Sequence, residues 1–85
     1  MHQDLISCQI HDYIEIACLY GYRVKLILKD GRSLEGKAID IFTSPEKREY
    51  LLIDNGRQQQ VELNQIRKME VLTANAKFRE VLFGS

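Results

Sequence analysis

The first regular pattern along the chain is helical and lies near the N-terminus. Three apolar residues there have the i, i+3, i+4 spacing of one helix face: Ile14, Ala17 and Cys18. Asp12 and Glu15 have the spacing of a capping box, with Asp in place of the usual Ser or Thr. Gly21 readily adopts the left-handed conformation in which helices often end. The pattern predicts a short helix over about residues 12–20, which must dock on the rest of the molecule to be stable.

Strand-like alternation follows the predicted helix. Apolar and basic positions alternate from Tyr22 to Lys29, as they do in a half-buried antiparallel strand. Asp30–Gly31 and Asn55–Gly56 are hairpin-turn sequences. The remaining apolar runs predict four more strands, over about residues 34–41, 50–53, 60–63 and 66–72. Five short antiparallel strands after a helix favour a small closed barrel, because closure removes exposed sheet edges.

The second strand contains a change of phase. Its apolar positions shift parity between Ala38 and Ile39, which requires a bulge or a bend, and Gly36 is where the backbone could kink. The tail has apolar residues at helical spacing: Ala74, Phe78, Val81 and Leu82. The sequence therefore predicts a mainly β (α+β) fold in a single domain over residues 1–85. Its barrel spans about residues 22–72, and residues 73–85 form a frayed tail or a short helix.

Charge is balanced overall but is unevenly distributed along the chain. The 85 residues include 12 basic and 12 acidic side chains, so net charge predicts neither a nucleic-acid binder nor an acidic mimic. Residues 1–20, here called the acidic segment, contain three carboxylates and no Lys or Arg. Residues 21–48, in contrast, are rich in Lys and Arg. Neither a signal peptide nor a membrane-spanning run is recognisable. The expected location is the cytoplasm, where the two cysteines stay reduced.

Metal binding and catalysis find little support in the sequence. Among Cys8, His11 and Cys18, only Cys8 and His11 have the spacing of a pair of zinc ligands, and no second pair follows. No Gly-rich phosphate loop and no nucleophile in a strained elbow is present. We therefore expect neither an enzyme nor a metal or cofactor, and we interpret His11 as a surface residue at the start of the helix.

Two binding surfaces remain open at this point. Arg23, Lys25 and Lys29 on the first strand could contact a nucleic-acid strand, but acidic neighbours make cross-strand ion pairs the favoured interpretation. Asp12 and Glu15 beside His11 and Tyr13 could dock on a basic protein surface, or could only cap the helix. The spacing of the residues does not separate these two roles.

The stretch "CQIHDYIEIACLYGYRVKLILKDGRSLEGKAIDI" resembles the Rof family, also called YaeO, of inhibitors of transcription termination factor Rho. The resemblance runs over about residues 8–72, through "LKDG" at Leu28–Gly31 to "EYL" at Glu49–Leu51. It implies an Sm-like barrel with an N-terminal helix. It also implies a partner, the RNA-binding OB-fold region of the Rho hexamer. The protein would compete with RNA for this region.

The resemblance also implies contact residues for Rho. The acidic helix residues of the family correspond to Asp12 and Glu15, next to His11 and Tyr13. The polar loop of the family corresponds to Ser44–Arg48, which makes Lys47 and Arg48 candidate contacts. Because a groove that holds RNA phosphates is basic, positive charge in the acidic segment would repel it. This offers a reason for the absence of Lys and Arg there.

A rival function is that of an Sm-like RNA-binding chaperone. Sm proteins look similar around "DGRSLEGKAID" at Asp30–Asp40, but they carry an Asn soon afterwards and an Ile-Arg-Gly turn near the fifth strand. Here no Asn follows Asp40 closely, and Lys68 follows Ile66-Arg67. Sm barrels form rings through their edge strands, but Lys, Glu and Gln on the fourth and fifth strands argue for a monomer.

Overall fold

The computed structural model describes residues 8–83, with Cys8 described by its backbone only. The elements, in chain order, are α1 (Cys8–Tyr20), β1 (Arg23–Leu28), β2 (Ser33–Thr43), β3 (Glu49–Asp54), β4 (Gln58–Glu62), a 3₁₀ turn (Leu63–Gln65), β5 (Ile66–Val71) and β6 (Glu80–Leu82). All strand pairs are antiparallel, in the order β4-β3-β2-β1-β5-β6. The mainly β class with an N-terminal helix is confirmed.

The predicted start of the helix is wrong, and with it the capping box. Helix α1 already includes Cys8, so Asp12 and Glu15 lie in its body, and no acidic residue occupies its first described turn. The apolar stripe gains a member one turn earlier, Ile10, which is buried with Ile14. The two carboxylates therefore are not needed to satisfy the helix N-terminus.

The predicted end of α1 is confirmed. Gly21 has a φ of 62°. Its N–H donates to the carbonyl of Cys18 (3.2 Å), and the Tyr22 N–H donates to the carbonyl of Ala17 (2.9 Å). This is the pair of hydrogen bonds of a Schellman motif, which requires the left-handed conformation at Gly21.

The change of phase in β2 is confirmed at the predicted position, but it does not fall at Gly36. The register with β3 shifts between Ala38 and Asp40, which makes Ile39 the extra residue. Gly36 instead allows close packing, because an added Cβ would lie 3.1 Å from the carbonyl oxygen of Asp54. The first half of β2 pairs with β1 and the second half with β3, so the bent strand joins the two parts of the sheet.

The tail contains a short strand, β6, so the predicted short helix is wrong, and so is a frayed tail as far as Phe83. β6 pairs with β5, with Val81 opposite Met69. Val81 and Phe83 are buried on either side of exposed Leu82, which is strand periodicity. The described strands thus form an open sheet of six strands, with β4 and β6 at its edges, in place of a closed five-stranded barrel.

One hydrophobic core lies between α1 and the sheet. Its largest fully buried side chains come from the helix, from β1, β3 and β5, and from the 3₁₀ turn: Ile14, Val24, Leu26, Leu51, Ile53, Leu63, Ile66 and Met69. Helix α1 packs mainly on β2 and also reaches β6. Among residues 8–83, no helix is long and apolar enough to cross a membrane.

Candidate protein-binding site

Asp12 and Glu15 lie on the outward side of α1, where both are exposed. Together with Ile16 and Leu19 they line a shallow hollow on the helix surface. These four positions follow the i, i+3, i+4, i+7 spacing of one helix face. Since the buried residues Ile14 and Ala17 occupy the opposite side, docking of α1 on the sheet directs the carboxylates into solvent.

His11 connects α1 to the sheet. Its Nε2 lies 2.9 Å from Oε1 of Glu49, the first residue of β3. Both side chains are partly buried. His11 is therefore a bridging residue within the helix, and our interpretation of it as a surface residue at the helix start is wrong.

Tyr13 lies on the other flank of α1 and is half exposed. Its ring packs on Phe78 with centroids 5.0 Å apart, and Phe78 also contacts Tyr22 at 5.8 Å. The Tyr22 hydroxyl in turn accepts a hydrogen bond from the backbone N–H of Lys77 (2.8 Å). The exposed edge of Tyr13 can meet a partner, while its packed face holds α1 against the tail.

The loop between β2 and β3 is a compact turn. The Ser44 N–H donates to the Arg48 carbonyl, and the Lys47 N–H donates to the Ser44 carbonyl, both at 2.8 Å. Lys47 has a φ of 68° and an exposed side chain. Arg48 is exposed too, and its guanidinium lies 3.3 Å from Glu62 on β4.

One contact links α1 to the strand that follows the loop. Glu49 follows Arg48 directly and lies in hydrogen-bond contact with His11, which ties the C-terminal end of the loop to α1. We call the exposed members of this region, Asp12, Glu15, Lys47 and Arg48, the α1–loop surface. It carries charges of both signs, with the carboxylates on the helix and the cations on the loop.

The seam between α1 and β2 is acidic. Burial, and secondarily the charges of Asp40 and Glu15, raise the pKa of the Cys18 thiol to about 11. A thiol with so high a pKa stays protonated at neutral pH and is a poor nucleophile and metal ligand. Among residues 9–83, whose side chains are described, no group of three or more His, Cys, Asp or Glu residues is placed to hold a metal. The Cys8 side chain lies outside that range.

The strand face considered for nucleic-acid binding carries mixed charge. Lys25 on β1 has Glu35 of β2 and Glu70 of β5 as its cross-strand neighbours. Lys68 on β5 lies 3.1 Å from Glu70 and 3.5 Å from Glu80. Carboxylates thus alternate with the cations, as the ion-pair interpretation predicts.

Sequence reasoning missed four residues around the α1–loop surface: Ile16, Leu19, Asp40 and Glu49. Ile16 and Leu19 could have been predicted from the sequence, since their spacing places them on one helix face with Asp12 and Glu15. Asp40 and Glu49 could not, because only the packing of α1 on β2 and β3 brings them to the helix.

Fold and site define a small β-sheet protein that presents an exposed acidic helix. The family model described as "Modulator of Rho-dependent transcription termination (ROF)" matches residues 5–83. "Protein rof" of Escherichia coli K12 is 36% identical over 62 residues, which cover 72% of this chain and 73% of that protein. The protein of the same name from Shigella flexneri matches equally well.

A solved structure, YaeO bound to magnesium from Vibrio cholerae O395, has the same fold. It aligns with a TM-score of 0.77 and 33% identity, over 85% of this chain and 95% of that one. The chain belongs to the Rof family, the modulators of Rho-dependent transcription termination. The match reaches Phe83, so the family pattern includes the tail and β6.

Proposed function

We propose that the chain inhibits Rho by placing the α1–loop surface in the primary RNA-binding site of the Rho OB-fold region, where it excludes RNA. The observation that carries the proposal is the exposure of Asp12 and Glu15 on a helix that contains no Lys or Arg. In a modulator of Rho-dependent termination, such a helix is complementary to a groove that binds phosphates. This role is exercised in the cytoplasm, where Rho meets nascent transcripts.

Electrostatics gives this surface a reason to compete with RNA. A groove that binds RNA through its phosphates is lined by Lys and Arg, and carboxylates in the same place attract those cations. Charges at an exposed surface act mainly on the rate of association. Because neither Asp12 nor Glu15 lies in the first described turn of α1, helix capping does not account for them, and both are exposed to a partner.

The loop supplies the second part of the proposed contact. Lys47 is exposed at the tip of the turn, and its hydrogen-bonded backbone holds it in one conformation. Arg48 is oriented by Glu62, and its remaining guanidinium N–H groups are able to donate to carbonyl or carboxylate oxygens of Rho. His11 contributes by holding the loop beside α1 and Tyr13 by its exposed edge.

The proposal is tested by replacing both helix carboxylates. Asp12→Lys together with Glu15→Lys should weaken binding to purified Rho by at least about 100-fold, which corresponds to about 2.7 kcal/mol. Binding is measured by fluorescence anisotropy, and competition by displacement of cytidine-rich RNA from Rho. Unchanged circular dichroism shows that the fold is kept.

A matched variant controls for net charge. Glu35→Lys together with Glu80→Lys makes the same change of charge on the strand face, outside the α1–loop surface, and should leave Rho binding close to that of the wild type. Survival of binding in the helix variant would overturn the proposal. Tight binding of short RNA by the protein alone would instead favour the Sm-like chaperone.

A further inference from the structure

We infer that the partner surface has an apolar pocket beside its cations, and that Leu19 of α1 enters this pocket. The inference rests on the proposed function and adds to it an apolar contact beside the contact of the two carboxylates. Leu19 is 77% exposed, the most exposed of the large hydrophobic side chains among the described residues. It lies in the shallow hollow together with both carboxylates.

The exposed face of α1 changes character along its length. Asp12 and Glu15 occupy its first half, whereas residues 16–21 contain no charged side chain. Ile16 packs partly against the core and forms an apolar floor between Glu15 and Leu19. One helix face thus carries two carboxylates, a half-buried isoleucine and a protruding leucine in consecutive order.

Leu19 has no role in the core of the molecule. The helix is held by Ile14 and Ala17, which are fully buried on its other side, and by the hydrogen bond between His11 and Glu49. A single exposed leucine is ordinary on a protein surface. Its position in the hollow, one turn after Glu15 and at the i+7 position from Asp12, gives it the spacing of an anchor that a helix inserts into a groove.

The two halves of this face should act on different steps of binding. Carboxylates that meet exposed cations raise the association rate and make the affinity depend on salt. An apolar side chain in a pocket slows dissociation and is insensitive to salt. The partner is therefore a groove with Lys or Arg at one end and an apolar pocket about one helical turn away, which is a distance of about 5.4 Å.

The test compares two exposed leucines by measuring the binding kinetics of each variant with Rho at several salt concentrations. Leu19→Ala should weaken binding about 10-fold, mainly through faster dissociation, and should keep the salt dependence of the wild type. Leu82→Ala is the matched control, because Leu82 is 66% exposed on β6 and points away from the core. It should leave both rates unchanged, and Leu19→Met should retain most of the affinity.

The outcomes separate this inference from the proposed function. If the wild-type protein does not bind Rho, the proposed function fails. If the wild type binds and Asp12→Asn with Glu15→Gln lowers the salt dependence, while Leu19→Ala binds as the wild type does, only the apolar pocket is refuted. Slower association of Leu19→Ala at unchanged dissociation would refute it as well.

Discussion

At the scale of single residues, the environment of Cys18 shows how packing sets chemistry. Cys18 is half-buried beside the core, where burial and the charges of Asp40 and Glu15 disfavour its thiolate. The sequence placed Cys18 correctly on the apolar side of the helix. It did not identify Asp40 as a neighbour, because that contact joins residues on two different elements.

The raised pKa predicts slow alkylation of Cys18. With the pKa raised from 9.0 to about 11, the thiolate population at pH 8 falls by about 100-fold relative to an ordinary thiol. In a Cys8→Ser variant, iodoacetamide should modify Cys18 at least about 10-fold more slowly in buffer than in urea, as followed by mass spectrometry. Equal rates in the two solvents would show that the thiol is not shielded.

The raised pKa of Cys18 also makes the stability of the fold depend on pH, and it fixes the sign of that dependence. The thiolate forms more readily in the unfolded chain, so the stabilising contribution of the neutral thiol is complete below pH 9 and is lost as the pH rises towards 11.

Asp40→Asn removes one of the two charges that raise the pKa. It should therefore increase the alkylation rate of the folded protein without reaching the rate in urea.

At the scale of elements, the sequence predicted those whose pattern is local. The stripe in α1, its glycine stop and both hairpin turns depend on residues close in the chain. The tail was misread because Phe78, Val81 and Leu82 fit a helix face, although only Val81 and Phe83 are buried in the core. The tail forms a strand because the edge of β5 is free to pair with it, and the sequence of the tail alone does not show that edge.

Strand β6 should contribute measurably to stability. Phe83→Ala removes a buried ring that follows β6, and it should lower the free energy of unfolding by about 3 kcal/mol. Leu82→Ala changes an exposed side chain one residue earlier and should cost no more than about 0.5 kcal/mol. Urea denaturation followed by circular dichroism measures both. Equal stability of the two variants would mean that the tail is not part of the core in solution.

At the scale of the whole molecule, the candidate site is assembled from distant parts of the chain. Asp12 and Glu15 were named from the sequence, as were Lys47 and Arg48, but the contact that links the helix to the end of the loop was not visible there. That contact is the pairing of His11 with Glu49 across 38 positions. Residue types thus suggested the chemistry of the site, whereas the docking of α1 on the sheet determined its shape.

The open sheet also bears on the state of assembly, and its edges favour a monomer. A ring built through strand pairing needs two free edges of useful length, but one edge here is β6, which has three residues. Such a short strand offers few backbone hydrogen bonds and little apolar area to a neighbour. The earlier argument from charges on β5 does not apply, because β6 covers that strand.

Sedimentation equilibrium should therefore give a mass close to 9.9 kDa over the whole micromolar range. A monomer leaves the α1–loop surface exposed on every copy, which is compatible with the proposed contact with Rho. A mass that rises to a fixed multiple with concentration would show that β4 and β6 pair between copies after all. In that case Phe83→Ala, which loosens β6, should lower the mass again, whereas Leu19→Ala should leave it unchanged.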